Sequence, residues 1–257
     1  MTRVIKVGGR PQTDRALPGA LAAAHAASPG SLVVVHGGGD EVGTLQRLHG
    51  VEARFHGGRR VTSALDLEII RMALSGSANK RLVAALNDRG VAALGLSGED
   101  AGLLAALPLD AERYGHVGTP ASVNVALLRH LLAGDVLPVI SPVSRHAAPG
   151  CDEPSTLNVN GDDAAAAIAA ALEAEELLLV SDVAGVLVNG EAVRELDADE
   201  ARHLIADGTA AGGMGAKLQA ALAALAGGVA RVRISDIAAI ESLDRGTVLT
   251  RVESVCA

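Results

Sequence analysis

Lys6 stands inside an otherwise apolar run, Val4-Ile5-Lys6-Val7, immediately before Gly8-Gly9. A lysine enclosed in a strand is costly unless its head meets an anion, although at a strand end it also reaches solvent along its stem. A second strand-to-glycine turn follows at Leu32-Val33-Val34-Val35-His36-Gly37-Gly38-Gly39. Glycines at the carboxyl edge of a sheet bare backbone N–H groups and let backbone approach a phosphate closely. Neither turn is a standard phosphate loop. The chain holds no G-x-x-x-x-G-K-[ST], and Val42 occupies the last glycine position of a G-x-G-x-x-G counted from Gly37.

Three downstream stretches hold the remaining candidates. Leu157-Asn158-Val159-Asn160-Gly161-Asp162-Asp163 leads into an alanine-rich helix. Asn160 suits the N-cap and Asp163 the first turn, which leaves Asn158 and Asp162 unexplained beside a helix N-terminus that could face a ligand. Gly212-Gly213-Met214-Gly215-Ala216-Lys217 opens another helix, and Gly58-Arg59-Arg60-Val61-Thr62 puts an arginine pair after a glycine. Taken singly, each is accounted for by a solvated surface segment, but an arginine also offers a planar fork for a carboxylate. Ser181-Asp182-Val183-Ala184-Gly185-Val186-Leu187 reads equally as an ordinary βα turn or as one that holds a nucleotide. Together the inventory suits phosphoryl transfer. Lys6 and Lys217 could neutralise the moving group, glycine N–H groups could hold its oxygens, and one acid could orient the lysines. An arginine would hold a carboxylate. Histidines are scattered singly without triad spacing; His36 beside the triple glycine is the one well placed, and His116 lies in Gly115-His116-Val117-Gly118.

Apolar runs alternating with alanine-rich stretches predict βαβ units around a parallel sheet. Strands are expected at Arg3–Val7, Ser31–Val35, Ala92–Leu96, Val136–Ile140, Glu176–Ser181 and Arg231–Ile234. Helices are expected at about Asp14–Ala27, Glu41–Leu48, Ser63–Asp88, Ser122–Ala133, Asp163–Ala174, Asp199–Ala206 and Gly215–Ala226. Ser141 to Asn158, with three prolines, reads as a hairpin or excursion. A lobe boundary is placed near Ala174, giving lobes 1–174 and 175–257. With one Phe, one Tyr and no Trp among 257 residues, the core must be aliphatic. A net charge of −8 argues against nucleic acid or an anionic membrane as main partner. No run approaches a membrane span, no signal peptide is visible, and Cys151 and Cys256 lack metal-ligand spacing. A reduced, cytoplasmic protein is expected.

At this point the ordered motifs resemble a known family. K-V-G-G at Lys6–Gly9, H-G-G-G at His36–Gly39, G-R-R-V-T at Gly58–Thr62, N-V-N-G-D at Asn158–Asp162 and G-G-M-G-A-K at Gly212–Lys217 are similar to those of the amino-acid kinase superfamily. Within it they resemble the N-acetylglutamate kinases, over nearly the whole chain. Aspartokinases instead open with K-F-G-G-T, and isopentenyl phosphate kinases carry a further histidine where this chain has Asp40-Glu41-Val42. The resemblance implies an open, mainly parallel sheet sandwiched by helices, with the acyl amino acid on the N-terminal part and ATP, with Mg2+, on the C-terminal part. It implies Lys6 and Lys217 as stabilisers of the transferring group and Asp162 as their holder. Gly38, Gly39, Arg60 and Asn158 would bind N-acetyl-L-glutamate, with Arg60 on its α-carboxylate. Gly8 and Gly9 would meet phosphate, and Asp182, Val183, Ala184, Gly185, Val186 and Leu187, with Thr209, Ala210 and Ala211, would line the nucleotide pocket.

Two departures stand out. Arg10-Pro11 after Gly8-Gly9 is unusual for the family, and with only five residues before Lys6 the N-terminal helix of arginine-inhibited hexameric members is expected to be missing. A homodimer without strong arginine feedback is therefore expected. Rival readings are a kinase for an α-aminoadipate derivative, free or on an acidic carrier protein, and one for N-succinylglutamate. From another class comes a non-catalytic amino-acid or nucleotide sensor, against which the joint presence of Lys6, Asp162 and Lys217 speaks.

Overall fold

Strand periodicity decides which side of the sheet Lys6 faces. A computed structural model describes residues 2–56, 59–148 and 155–250. In the strand Arg3–Val7, Val4 joins the apolar cluster on one face while Ile5 and Val7 join the cluster on the other. Alternation puts Lys6 on the Val4 side. That face is covered by the helices Gly161–Ala171 and Gly212–Ala226, which carry Asp162 and Lys217. The opposite face is covered by Leu17–Ala27 and Asn79–Asn87.

The sheet has eleven strands and is mainly parallel, as expected. Arg3–Val7 lies between Glu176–Val180 and Leu32–His36, parallel to both. Arg231–Ser235 continues the sheet beyond the first, and Leu137–His146 beyond the second. Every residue of Leu32–His36 and Glu176–Val180 is buried, and apart from His36 at one end and Glu176 at the other both strands are aliphatic. Alanine lets the covering helices approach closely: a Cβ added at Gly227 would lie 2.7 Å from that of Ala170. Among the described residues no helix is long and apolar enough to cross a membrane.

Several expectations change. The Asp14–Ala27 helix starts at Leu17, and the Gly215–Ala226 helix starts at Gly212. The Ser63–Asp88 helix is three pieces: α-helix Ala64–Arg71, a π-helical stretch Met72–Ala78, and α-helix Asn79–Asn87. Ser75-Gly76-Ser77, poor helix formers, lie in the wide turns. The Ser122–Ala133 helix starts at Val125, capped by the Asn124 side chain, because Val117–Val123 is a strand. The Asp163–Ala174 helix starts earlier and stops at Ala171, capped by Asn160, which puts Asp162 in its first turn. Leu104–Pro108, paired antiparallel with Val117–Val123, is an unexpected strand. The hairpin between Ser141 and Asn158 is present: Leu137–His146 runs on past Ile140 and pairs antiparallel with Thr156–Val159. Cys151, Cys256 and Gly58 lie outside the described residues.

Candidate active site

Three central strands deliver their carboxyl ends to one edge, where open α/β sheets bind ligands. Lys6 and Gly8-Gly9 come from the first, Gly37-Gly38-Gly39 from the second, and Ser181-Asp182 from the third. Lys6 Nζ lies 2.8 Å from Asp162 Oδ1, and Lys217 Nζ lies 3.2 Å from both Asp162 oxygens. Lys6 and Asp162 are buried, and Lys217 nearly so. The Asp162 N–H donates to the Asn160 side chain, and the helix N-terminus favours a carboxylate there. Burial pushes the Asp162 carboxyl up, but Lys6 and then Lys217 outweigh it and hold it below the usual range. Lys217 is pulled down to about 8, by burial first and by Lys6 second, against the opposing pull of Asp162.

Glycines make room for this trio. A Cβ at Gly8 would stand 2.2 Å from Lys6 Nζ, and one at Gly161 would stand 3.1 Å from Lys6 Cε. Gly38, at φ +148°, is strained for any residue with a side chain, and a Cβ there would stand 2.8 Å from the Leu74 side chain. Two clefts meet at Lys6, Gly8 and Gly9. The first, about 220 Å³, is bounded by Gly38, Gly39, Arg60, Asn158 and Asp162, with Val42, Leu74 and Val117 among its apolar walls. The second, about 270 Å³, is bounded by Pro11, Asp40, Ser181, Asp182 and Lys217.

The arginine pair separates into two roles. Arg59 Nη1 lies 2.5 Å from Asp163 Oδ2, so its charge is matched by the residue beside Asp162. Burial pushes the Asp163 carboxyl up and Arg59 opposes it. Arg60 lies over the Phe55 ring at 4.7 Å and donates to the Gln46 side-chain carbonyl, a neutral acceptor. Burial pulls the Arg60 guanidinium down and Asp66 opposes it. Asn158 Nδ2 donates to Thr62 Oγ1 at 3.0 Å, which links the Asn158 strand to the stretch that carries Arg60.

The remaining candidates differ in how close they come to this centre. Asp182 lines the second cleft, while Val183, Ala184, Gly185, Val186 and Leu187 line neither. Val186 N–H donates to Thr247 Oγ1 of the last strand at 2.8 Å, the Ala184 carbonyl accepts from Ser235 Oγ at 3.3 Å, and Leu187 pairs antiparallel with Ala192. Thr209, Ala210 and Ala211 form the turn that enters the Lys217 helix, with Thr209 N–H on Asp207 Oδ1. His36 is fully buried; Asn79 Nδ2 donates to its Nε2 at 3.0 Å, and burial above all pulls its pKa down to about 4. It therefore shapes the glycine turn as a neutral ring. His116 contributes backbone, its N–H donating to the Thr62 carbonyl and its carbonyl accepting from Asn158 N–H. Gln46 and Asp66 were not among the sequence candidates, and Asp163 and Thr62 stood in the motif stretches only as a first-turn acid and a motif end. The S-x-x-D spacing of Ser63 and Asp66, a capping-box signature, was the local signal for Asp66.

Residues 1–236 match the amino acid kinase family. The chain belongs to that family. Within it, an acetylglutamate kinase of Roseiflexus castenholzii is 46% identical over 250 residues, covering 96% of this chain and 93% of that one. An acetylglutamate kinase of Ruegeria pomeroyi is 46% identical over 205 residues, covering 79% of this chain and 69% of that one. A solved structure from Streptococcus mutans UA159 matches with a TM-score of 0.85 at 28% identity, covering 97% of this chain and 98% of that one.

Proposed function

We propose that the protein transfers the γ-phosphoryl group of ATP to the side-chain carboxylate of N-acetyl-L-glutamate, giving N-acetylglutamyl 5-phosphate and ADP, a step of arginine biosynthesis. The observation that carries this reading is the Lys6–Asp162–Lys217 trio where two clefts meet. The acceptor carboxylate, with a pKa near ~4.3, is already ionised at neutral pH, so no general base is required. One of its oxygens bonds to phosphorus as the bond to the β–γ bridging oxygen breaks, and that electron pair leaves on ADP. An anion thus attacks a polyanion, and positioning with charge neutralisation carries the reaction.

Lys6 and Lys217 supply the positive charge, and Asp162 keeps the two ammonium groups together. Gly8 and Gly9 offer N–H groups to the phosphate oxygens. Arg60 takes the α-carboxylate, with Asn158 and Gly38-Gly39 around the acyl amino acid. The segments Asp182–Leu187 and Thr209–Ala211 serve the nucleotide, so residues 1–174 hold the acceptor and 175–257 hold ATP. Among the described residues no group of three or more His, Cys, Asp or Glu could hold a metal ion. Asp40 and Asp182 line the second cleft, which suits an ion carried chiefly by phosphate oxygens. Mg2+ brought with ATP would add to the neutralisation of the β- and γ-phosphates.

The test is a panel of acceptors with Mg-ATP, the acyl phosphate being trapped by hydroxylamine. Acetylglutamate is expected to show the highest kcat/KM among acetylglutamate, succinylglutamate, acetylaminoadipate and glutamate. Turnover of none would overturn the reading in favour of a sensor, and a preference for acetylaminoadipate would move it to lysine biosynthesis. We also propose a cytoplasmic homodimer; light scattering of a monomer or a hexamer would refute the dimer.

A further inference from the structure

Arg60 is held by an amide where its neighbour Arg59 is held by a carboxylate, and the difference extends into the protein interior. Gln46, from the helix Gly39–Leu48, is 1% exposed, and Asp66, from the helix Ala64–Arg71, is 5% exposed. A guanidinium only donates, so the Gln46 carbonyl oxygen must face Arg60. The Gln46 Nε2 then points the other way and donates to Asp66 Oδ1 at 2.5 Å. Asp66 Oδ2 accepts from the Ser63 N–H at 2.9 Å and the Ser63 hydroxyl at 2.6 Å. Burial pushes the Asp66 carboxyl up, but the bonds from Ser63 and Gln46 hold it below the usual range, so it is ionised and can only accept. Each link therefore has one permitted direction, and the Gln46 amide cannot turn over without setting like against like at both ends.

We propose that Gln46 and Asp66 are positioning residues that aim Arg60 into the first cleft while leaving its charge available to a substrate carboxylate. A carboxylate in direct contact, as Asp163 is with Arg59, would occupy the fork that the substrate needs. The neutral amide fixes the guanidinium without neutralising it, and Phe55 supports it from one face. The anion that balances Arg60 in the free protein stands one residue further back, at Asp66. This inference rests on the reading of the acceptor as an α-carboxylate-bearing acyl amino acid.

The rival explanation is that Gln46 and Asp66 merely join two helices. Steady-state kinetics with acetylglutamate and with 4-acetamidobutyrate, the same acceptor without its α-carboxylate, separate the two. Gln46→Met conserves volume and removes both bonds. It is expected to raise KM for acetylglutamate about tenfold, the scale of one hydrogen bond to a charged group, with KM for ATP unchanged. The wild-type advantage of acetylglutamate over 4-acetamidobutyrate should shrink by the same factor, measured as kcat/KM or, for the slower compound, as an inhibition constant. Gln46→Glu keeps the bond to Arg60 and places a carboxylate on it, but it also sets an oxygen against Asp66 Oδ1, so it should raise KM for acetylglutamate further still and lower the urea midpoint. An equal loss on both acceptors, or an unchanged KM for acetylglutamate in both variants, would overturn the proposal. Wild-type protein that fails to phosphorylate acetylglutamate would instead overturn the functional reading on which it rests.

Discussion

The strand Arg3–Val7 has a buried carboxylate between cations at each of its ends, and the two assemblies behave differently. At the amino end Glu176, 2% exposed, accepts from Arg3 Nε at 2.5 Å and from Arg233 Nε at 3.0 Å, and pairs with Arg231 at 3.2 Å. The remaining fork nitrogens of Arg3 and Arg233 donate to backbone carbonyls of Ala239, Ile240, Ser242 and Arg245. At the carboxyl end Asp162 sits between two compact ammonium groups, and both border a cleft. Guanidinium forks saturated by carbonyls tie chain segments together, whereas ammonium groups at a cleft keep positive charge for a ligand. The same charge arrangement closes on backbone carbonyls in one place and leaves ammonium groups at the carboxyl edge of the sheet in the other.

The contrast breaks most visibly at Glu176. Glu176→Ala leaves a fully buried Arg233 without its counter-ion, and a loss of about 3–5 kcal/mol in unfolding free energy is expected by urea titration. The kcat of the folded fraction should not change; a fall in kcat at unaltered stability would dissolve the distinction. Lys217→Ala should do the reverse, cutting kcat by about 10²–10³ with little change in thermal midpoint. An effect confined to KM would make Lys217 a ground-state binder only.

Gly8→Ala probes the same end more gently. The new methyl group must displace the Lys6 ammonium, and kcat is expected to fall by roughly 10- to 10²-fold, as for a misplacement of about 1 Å. An unchanged kcat would show that the position of Lys6 is not critical. The smallest effect is in pH. Lys217 is pulled down to about 8, so the charged enzyme is the form below that pH, and kcat/KM for ATP should fall as pH rises through it. Lys217→Arg, whose guanidinium stays charged, should remove that limb from the profile at a reduced absolute rate. A limb that persists in this variant would assign the titration to another group.

The lysines, Asp162 and both glycine turns were legible because each is a local departure from pattern: a charge in an apolar strand, glycines at strand ends, an acid beside a cap. Which arginine has its charge matched was not legible, because Arg59 and Arg60 are equivalent neighbours in the chain. Their difference is made by Asp163 and Gln46, which only the folded chain brings to them. The antiparallel pair Leu104–Pro108 and Val117–Val123 escaped notice because each strand carries a proline, Pro108 and Pro120, and proline argues against a strand. The helix break at Met72 was hidden by an otherwise good helical pattern, although Ser75-Gly76-Ser77 marked the place.

That π-helical stretch has a bearing on insertions and deletions. Leu74, inside it, packs near Gly38, and Asn79, just after it, meets the His36 ring, so one glycine turn is braced at two places from this segment. Five residues take the chain from Leu74 to Asn79 through wide turns, where ordinary α-helical winding would reach the same face in four. Removing one residue from Ser75-Gly76-Ser77 would therefore restore α-helical winding with both braces still on the glycine turn. Removing one at Lys80-Arg81, in the α-helix Asn79–Asn87, would instead turn the buried Leu82 and Leu86 by about 100°. The wide turns hold a spare residue, so a shortening should be better tolerated there than one turn later.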